Sequence, residues 1–153
     1  MKLAFVRDHH NAVAEWQKRE LDDWLTDVFE APQIKLRPKC TPDLRRYVAG
    51  EFEKEGWALD VKLDQDLGLT VFAMRDDIGF QLQTGNMSRA PYDLLKFQYL
   101  FQSGKIECAA LAVPTKVGAN LIGDNIANAE RISNELGLFN RVITVPIMLL
   151  AFE

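Results

Sequence analysis

The chain reads as an α/β protein, a three-layer α/β/α sandwich around a central mixed sheet of five strands. Three features of the sequence lead there. Residues 67–83 form two β-rich runs separated by Asp76-Asp77, a two-residue hairpin turn. The hairpin is followed by a turn at 84–86, a helix over 89–103 and a strand at 106–113, which together make a β-α-β crossover. That last strand, IECAALAV, is almost continuously apolar, the mark of a central strand covered on both faces.

The remaining elements follow in order. Val13, Trp16, Leu21, Trp24 and Val28 recur at helical spacing, so a helix is expected over 8–29, capped by Asp8 or Asn11. His9 and His10 stand at its start and, being adjacent, point to different faces. Three prolines between Ala31 and Pro42 mark a connector. Thr41 as N-cap and Pro42 at the first turn open a second helix that runs to Glu55, with Gly56 as its stop and Leu44, Val48 and Phe52 as its apolar stripe. Residues 57–63 alternate as a first strand, and Asp64-Gln65-Asp66 turns into the hairpin. In the helix over 89–103, Ala90, Leu94, Phe97 and Phe101 face inward and Arg89, Asp93 and Lys96 share another face. A polar loop is expected at 115–124, then a helix from an Asp124 cap to Leu136 stopped by Gly137. The last strand is expected over 141–152, bent or placed at an edge by Pro146.

Length and composition narrow the class. The chain has 153 residues, 48% hydrophobic and 26% charged, and is expected to form a single domain (1–153) with an N-terminal helical extension over 1–40. No apolar run reaches membrane-span length and the apolar start is too brief for a signal core, so the expected location is the cytoplasm. Cys40 and Cys108 are isolated and suggest neither a zinc site nor a disulfide framework. The net charge of −4 is unlike a strongly basic nucleic-acid-binding domain. Any contact to phosphate must then come from a local basic cleft.

The hairpin carries the unusual chemistry. If Asp76-Asp77 is the turn, Ala73 pairs with Phe80, Phe72 with Gln81 and Thr70 with Gln83. Gln81 and Gln83 then lie side by side on one face, opposite a core face of Leu69, Val71, Ala73, Phe80 and Leu82. Adjacent amides either bond each other's surroundings or face a ligand.

The run IGFQLQTGN (78–86), the helix with Arg89, Asp93, Leu94 and Lys96, and IECAALAVPTK (106–116) resemble type II restriction endonucleases of the BglII and BstYI kind. The resemblance runs from about Leu44 to the C-terminus and implies the restriction-endonuclease-like fold. In that family the second hairpin strand carries Glu-x-Gln or Glu-x-Lys, followed by an Asn, and the first strand carries a metal-binding Asp. Gln83 and Asn86 match as they stand. Gln81 occupies the position of the Glu, and the Asp position falls at Phe72 or Val71.

Implied by the resemblance are an activity and its parts: site-specific, magnesium-dependent hydrolysis of double-stranded DNA by a homodimer, with Gln81, Gln83 and Asn86 as the catalytic set. Magnesium requires oxygen ligands, usually carboxylates. Asp66 is the nearest substitute ligand beside Gln81, with Glu107 as a further acid. Arg45, Arg46, Asn86, Arg89, Lys96 and Lys116 are the candidate DNA contacts, the alternative for the arginines being a solvated face. With both family acids replaced, the alternative function is a catalytically inactive DNA-binding or protein-interaction module on the same fold.

Overall fold

A computed structural model describes residues 1–153. Its centre is one mixed sheet of six strands in the order β1-β6-β5-β4-β3-β2. The strands are β1 (Leu3–His9), β2 (Ala58–Lys62), β3 (Thr70–Arg75), β4 (Ile78–Leu82), β5 (Cys108–Pro114) and β6 (Ile147–Phe152). The helices are α1 (Ala12–Lys18), α2 (Asp22–Val28), α3 (Thr41–Lys54), α4 (Ala90–Gln102), α5 (Lys116–Ile122) and α6 (Ala129–Leu138). No helix is long and apolar enough to cross a membrane.

The three layers are those expected. Strands β4, β5 and β6 run parallel, while β2-β3-β4 and β1-β6 are antiparallel. Every residue of β5 and β6 is buried. Their side chains divide by alternation between two cores. Cys108, Ala110, Ala112, Met148, Leu150 and Phe152 pack under α1, α2 and α3, whereas Ala109, Leu111, Val113, Ile147, Leu149 and Ala151 pack under α4 and α6. Small residues in β5 leave room for rings on the first side. Trp16 and Trp57 stack 6.0 Å apart, and Phe52 lies 4.3 Å from Phe80. Trp16 also donates its indole N–H to the Ala109 carbonyl (3.1 Å). Gly79 sits under Phe97, whose Cε1 lies 3.3 Å from where a β-carbon would be, so the crossover helix packs directly on β4.

Several expectations are corrected. The sheet has six strands, not five, because residues 3–9 form β1 along the open edge of β6. The N-terminal 40 residues are therefore not a purely helical extension. β1 lacks regular apolar alternation since an edge strand takes its order from ladder hydrogen bonds and keeps one side wet. The helix expected over 8–29 is two short helices. Glu20 at φ +56° breaks the helical path between them. Residues 116–122, expected as loop, form α5, whose first turn is capped by the Thr115 hydroxyl accepting the Gly118 N–H at 3.0 Å. α6 starts at Ala129 with Asn128 as cap and runs through Gly137. β6 is an interior strand, not an edge one, and it begins only after Pro146, so the missing proline N–H falls outside the ladder.

Candidate functional site

The hairpin places the site. Asp76 adopts φ +49°, and pairing proceeds as expected through Arg75–Ile78, Met74–Gly79 and Ala73–Phe80. There the ladder ends. Strand β4 continues along β5, with Gln81 paired to Leu111, while β3 separates from it. Gln81 fills the fork: its Oε1 accepts the Phe72 backbone N–H at 2.9 Å. The expected sharing of one face by Phe72 and Gln81 does not occur. The Phe72 ring joins the aromatic core beneath α3, 5.7 Å from Phe80, and Asp60 on the neighbouring strand β2 is forced to φ +47°. Val71 goes to the opposite core, under α4 and α6.

Beyond the fork opens a cleft of about 540 Å³. α3 contributes Thr41 and Arg45, β4 and its exit contribute Gln81 and Gln83, the 3-10 turn before α4 contributes Arg89, and α4 itself contributes Asp93 and Lys96. Gln83 is buried and hydrogen-bonded at both ends of its amide. Its Oε1 accepts the Gly85 N–H (2.7 Å) and its Nε2 donates to Asp93 Oδ2 (2.5 Å). Asp93, only 4% exposed, also receives Lys96 Nζ on Oδ1 at 2.7 Å. The same ammonium donates to the Thr70 carbonyl at 2.8 Å. Burial raises the Asp93 carboxyl above the usual carboxylate range, while Lys96, Gln83 and Gln81 pull it back. Asp93 is the acid that reading the hairpin alone passes over. It comes from the crossover helix, one turn before Lys96, and a signal was present in the i, i+3 pair on the non-core face.

The other expected site residues are distributed as follows. The Arg45 guanidinium lies 4.9 Å over the Phe72 ring and reaches the Leu82 carbonyl at 3.5 Å. Arg46 is exposed and bonds Asp43 at 3.3 Å, outside the cleft. Asn86 has φ −57° and caps the short 3-10 turn Met87–Arg89 by accepting the Ser88 N–H at 2.9 Å. Lys116 is exposed at the start of α5, where its backbone N–H meets Glu130 Oε2 at 2.8 Å. Asp66 is exposed in the turn before β3, where Asp64 Oδ1 accepts its N–H at 2.8 Å, and it does not line the cleft. Glu107 precedes β5 at the opposite end of the strand and pairs with Arg19 at 2.9 Å.

The cleft's donor set does not fit a magnesium ion. A hard dication needs several free oxygen ligands, with one or more carboxylates among them. Gln81 Oε1 and Gln83 Oε1 are each committed to a backbone N–H, and the single carboxylate, Asp93, is already neutralised by Lys96. No three acidic, histidine or cysteine side chains gather anywhere in the chain in a metal-binding arrangement.

Comparison with known proteins agrees with the architecture. No curated protein sequence matches the chain. Among solved structures it is similar to the crystal structure of restriction endonuclease BglII complexed with a DNA 16-mer. The TM-score is 0.81 at 13% identity, over 100% of this chain and 78% of that one. It is likewise similar to the crystal structure of free BglII, with a TM-score of 0.71 at 17% identity, over 100% of this chain and 80% of that one. Residues 4–152 match the profile of the family described as restriction endonuclease BglII/BglIII, a family that generally uses a divalent metal. A mixed sheet with a forked hairpin, an α4 crossover and a near-complete profile match place this chain in the BglII/BglIII restriction endonuclease family.

Proposed function

We propose that this chain acts on double-stranded DNA as a homodimer, each protomer one domain, and that it binds the duplex without hydrolysing it at an appreciable rate. The compartment proposed with this reading is the cytoplasm. One observation carries it: at the β3–β4 fork the family's two acidic positions hold Gln81, whose Oε1 is spent on Phe72 N–H, and Phe72 or Val71, both buried in the cores. Without paired carboxylates the cleft cannot recruit the ion that activates water and neutralises the scissile phosphate. What remains is a groove for phosphate. Arg45 and Arg89 line it, and Arg46, Asn86 and Lys116 extend the candidate surface. A chain of net charge −4 must bind through such a local patch.

The outer stripe of α4 supports the dimer. Tyr92, Leu95 and Tyr99 are 61%, 54% and 50% exposed, and Leu138 at the end of α6 with Phe139 and Val142 beyond it add further exposed apolar surface.

The test is duplex binding by fluorescence anisotropy together with plasmid cleavage in Mg²⁺ or Mn²⁺. Expected are affinity that falls steeply between about 50 and 200 mM salt, with Arg45→Ala and Arg89→Ala each lowering the salt slope by about 1, and no rapid cleavage. Robust cutting by wild type that Asp66→Ala abolishes would make Asp66 a metal ligand and overturn the non-hydrolytic reading. No binding at low salt would turn the assignment toward a protein-interaction module.

A further inference from the structure

We propose that Lys96 is a built-in cation of the cleft, standing in for the divalent metal, so that the site takes a phosphodiester in the absence of any metal ion. The proposal rests on the DNA-binding reading for the identity of its ligand. Its metal-independence stands on the cleft alone.

Three arrangements carry it. First, the Lys96 ammonium sits where a carboxylate oxygen and a main-chain carbonyl converge, at 2.7 Å from Asp93 Oδ1 and 2.8 Å from Thr70 O. Such an oxygen pair is a partial cation shell, and here a covalently tethered charge fills it. The Lys96 side chain is only 14% exposed and the Asp93 side chain 5%, so the pair is sheltered from screening by salt. Second, the tether is rigid on both sides. Asp93 is fixed from behind by Gln83, which is itself fixed by Gly85. Thr70 belongs to β3, whose departure from β4 opens the fork, so the ammonium holds α4 against the strand that has left the ladder. Third, the charge balance of the lining is positive: Arg45, Arg89 and Lys96 against Asp93 alone. A cleft built on free carboxylates repels phosphate until a metal arrives. This one attracts it from the start, and an ammonium has three donors, of which Asp93 and Thr70 use two.

The experiment separates metal binding from DNA binding. Mn²⁺ is titrated into DNA-free protein and followed by the loss of the free-ion electron paramagnetic resonance signal. Duplex affinity is measured in parallel in EDTA and in Ca²⁺. Wild type is expected to take up no Mn²⁺ that depends on Asp93, and to bind duplex equally, within about twofold, in EDTA and Ca²⁺. Lys96→Met, checked for folding by circular dichroism, frees the Asp93 carboxylate. It is expected to gain one Mn²⁺ site, to lose that site again in Lys96→Met/Asp93→Asn, and to bind duplex about tenfold more weakly in EDTA than in Ca²⁺. Lys96→Arg keeps the charge and is expected to behave as wild type. Mn²⁺ uptake by wild type that Asp93→Asn abolishes overturns the proposal, as does a folded Lys96→Met protein that gains no site. If Lys96→Met fails to fold, the wild-type and Asp93→Asn titrations decide alone. Failure of the DNA-binding reading is recognised separately, as the absence of duplex binding at low salt whatever the Mn²⁺ result.

Discussion

Gln81 Oε1 accepts the backbone N–H of Phe72 at 2.9 Å, so a side chain supplies the rung that the β3–β4 ladder lacks. A glutamate at 81 could make the same bond. We expect Gln81→Glu to fold normally and to leave plasmid cleavage unrestored, because the one acid within its reach, Asp93, is already held by Lys96 and Gln83. Phe72→Asp does not provide a free one, since that side chain points into the core beneath α3. Removing the ring there costs about 3–5 kcal/mol, and the buried charge adds to it. Val71→Asp places its carboxyl on the Gln81 side of the sheet, still in a fully buried position. Urea unfolding of the single variants and plasmid nicking by Gln81→Glu/Val71→Asp check this. Rapid nicking by Gln81→Glu alone would show that one acid suffices.

Gln98 holds the approach to β6. Its Oε1 accepts the N–H groups of Thr144 (2.8 Å) and Val145 (3.0 Å), and its Nε2 donates to the Thr144 hydroxyl at 2.9 Å. Thr144 is exposed and can turn to water, whereas Val145 is fully buried. Gln98→Ala is expected to destabilise the protein by about 1–3 kcal/mol, chiefly through the orphaned Val145 N–H. Equilibrium denaturation measures it, and an unchanged midpoint would mean that water replaces the amide.

Arg19 ties the end of α1 to the hairpin tip. It donates to both Asp77 carboxylate oxygens, through Nε at 3.0 Å and through Nη2, and it also reaches Glu107 and Glu15. The guanidinium holds the Asp77 carboxyl below its usual range. A depressed carboxylate contributes stability above its unfolded value, about pH 4, and loses it as pH falls through the lower folded value. Arg19→Met should therefore be less stable than wild type near neutrality, and the difference should narrow below about pH 4. Both pair members are partly exposed, so the effect is modest and declines in high salt. A difference that stays constant with pH would assign the loss to packing instead.

The exposed stripe of Tyr92, Leu95 and Tyr99 should be covered in solution by a second copy. Sedimentation of wild type is expected to show a dimer and Leu95→Glu a monomer with unchanged circular dichroism. A wild-type monomer at tens of micromolar, about the range where weak dimers dissociate, would remove the symmetric-dimer reading.

Much of the fold was legible in the sequence because it rests on local rules. The apolar run at 106–113 forms a central strand wherever it packs, Asp76-Asp77 forms a hairpin turn, and the stripes of Leu44-Val48-Phe52 and Leu94-Phe97 face whatever core exists. Those elements, in that order, already implied the sandwich, and the run IGFQLQTGN with the helix and strand after it carried the resemblance to the family. Tertiary structure decided the rest. Residues 3–9 become a strand only because β6 offers an open edge. Phe72 leaves the face that alternation assigns it because β3 departs from β4 and an aromatic core under α3 receives the ring. Gln81, Gln83, Asp93, Lys96 and Thr70 span 27 positions of sequence, and no spacing rule joins a carboxylate on a crossover helix to a carbonyl on a separated strand. Their convergence exists only once α4 has packed on Gly79, and with it the charge that the cleft presents to phosphate.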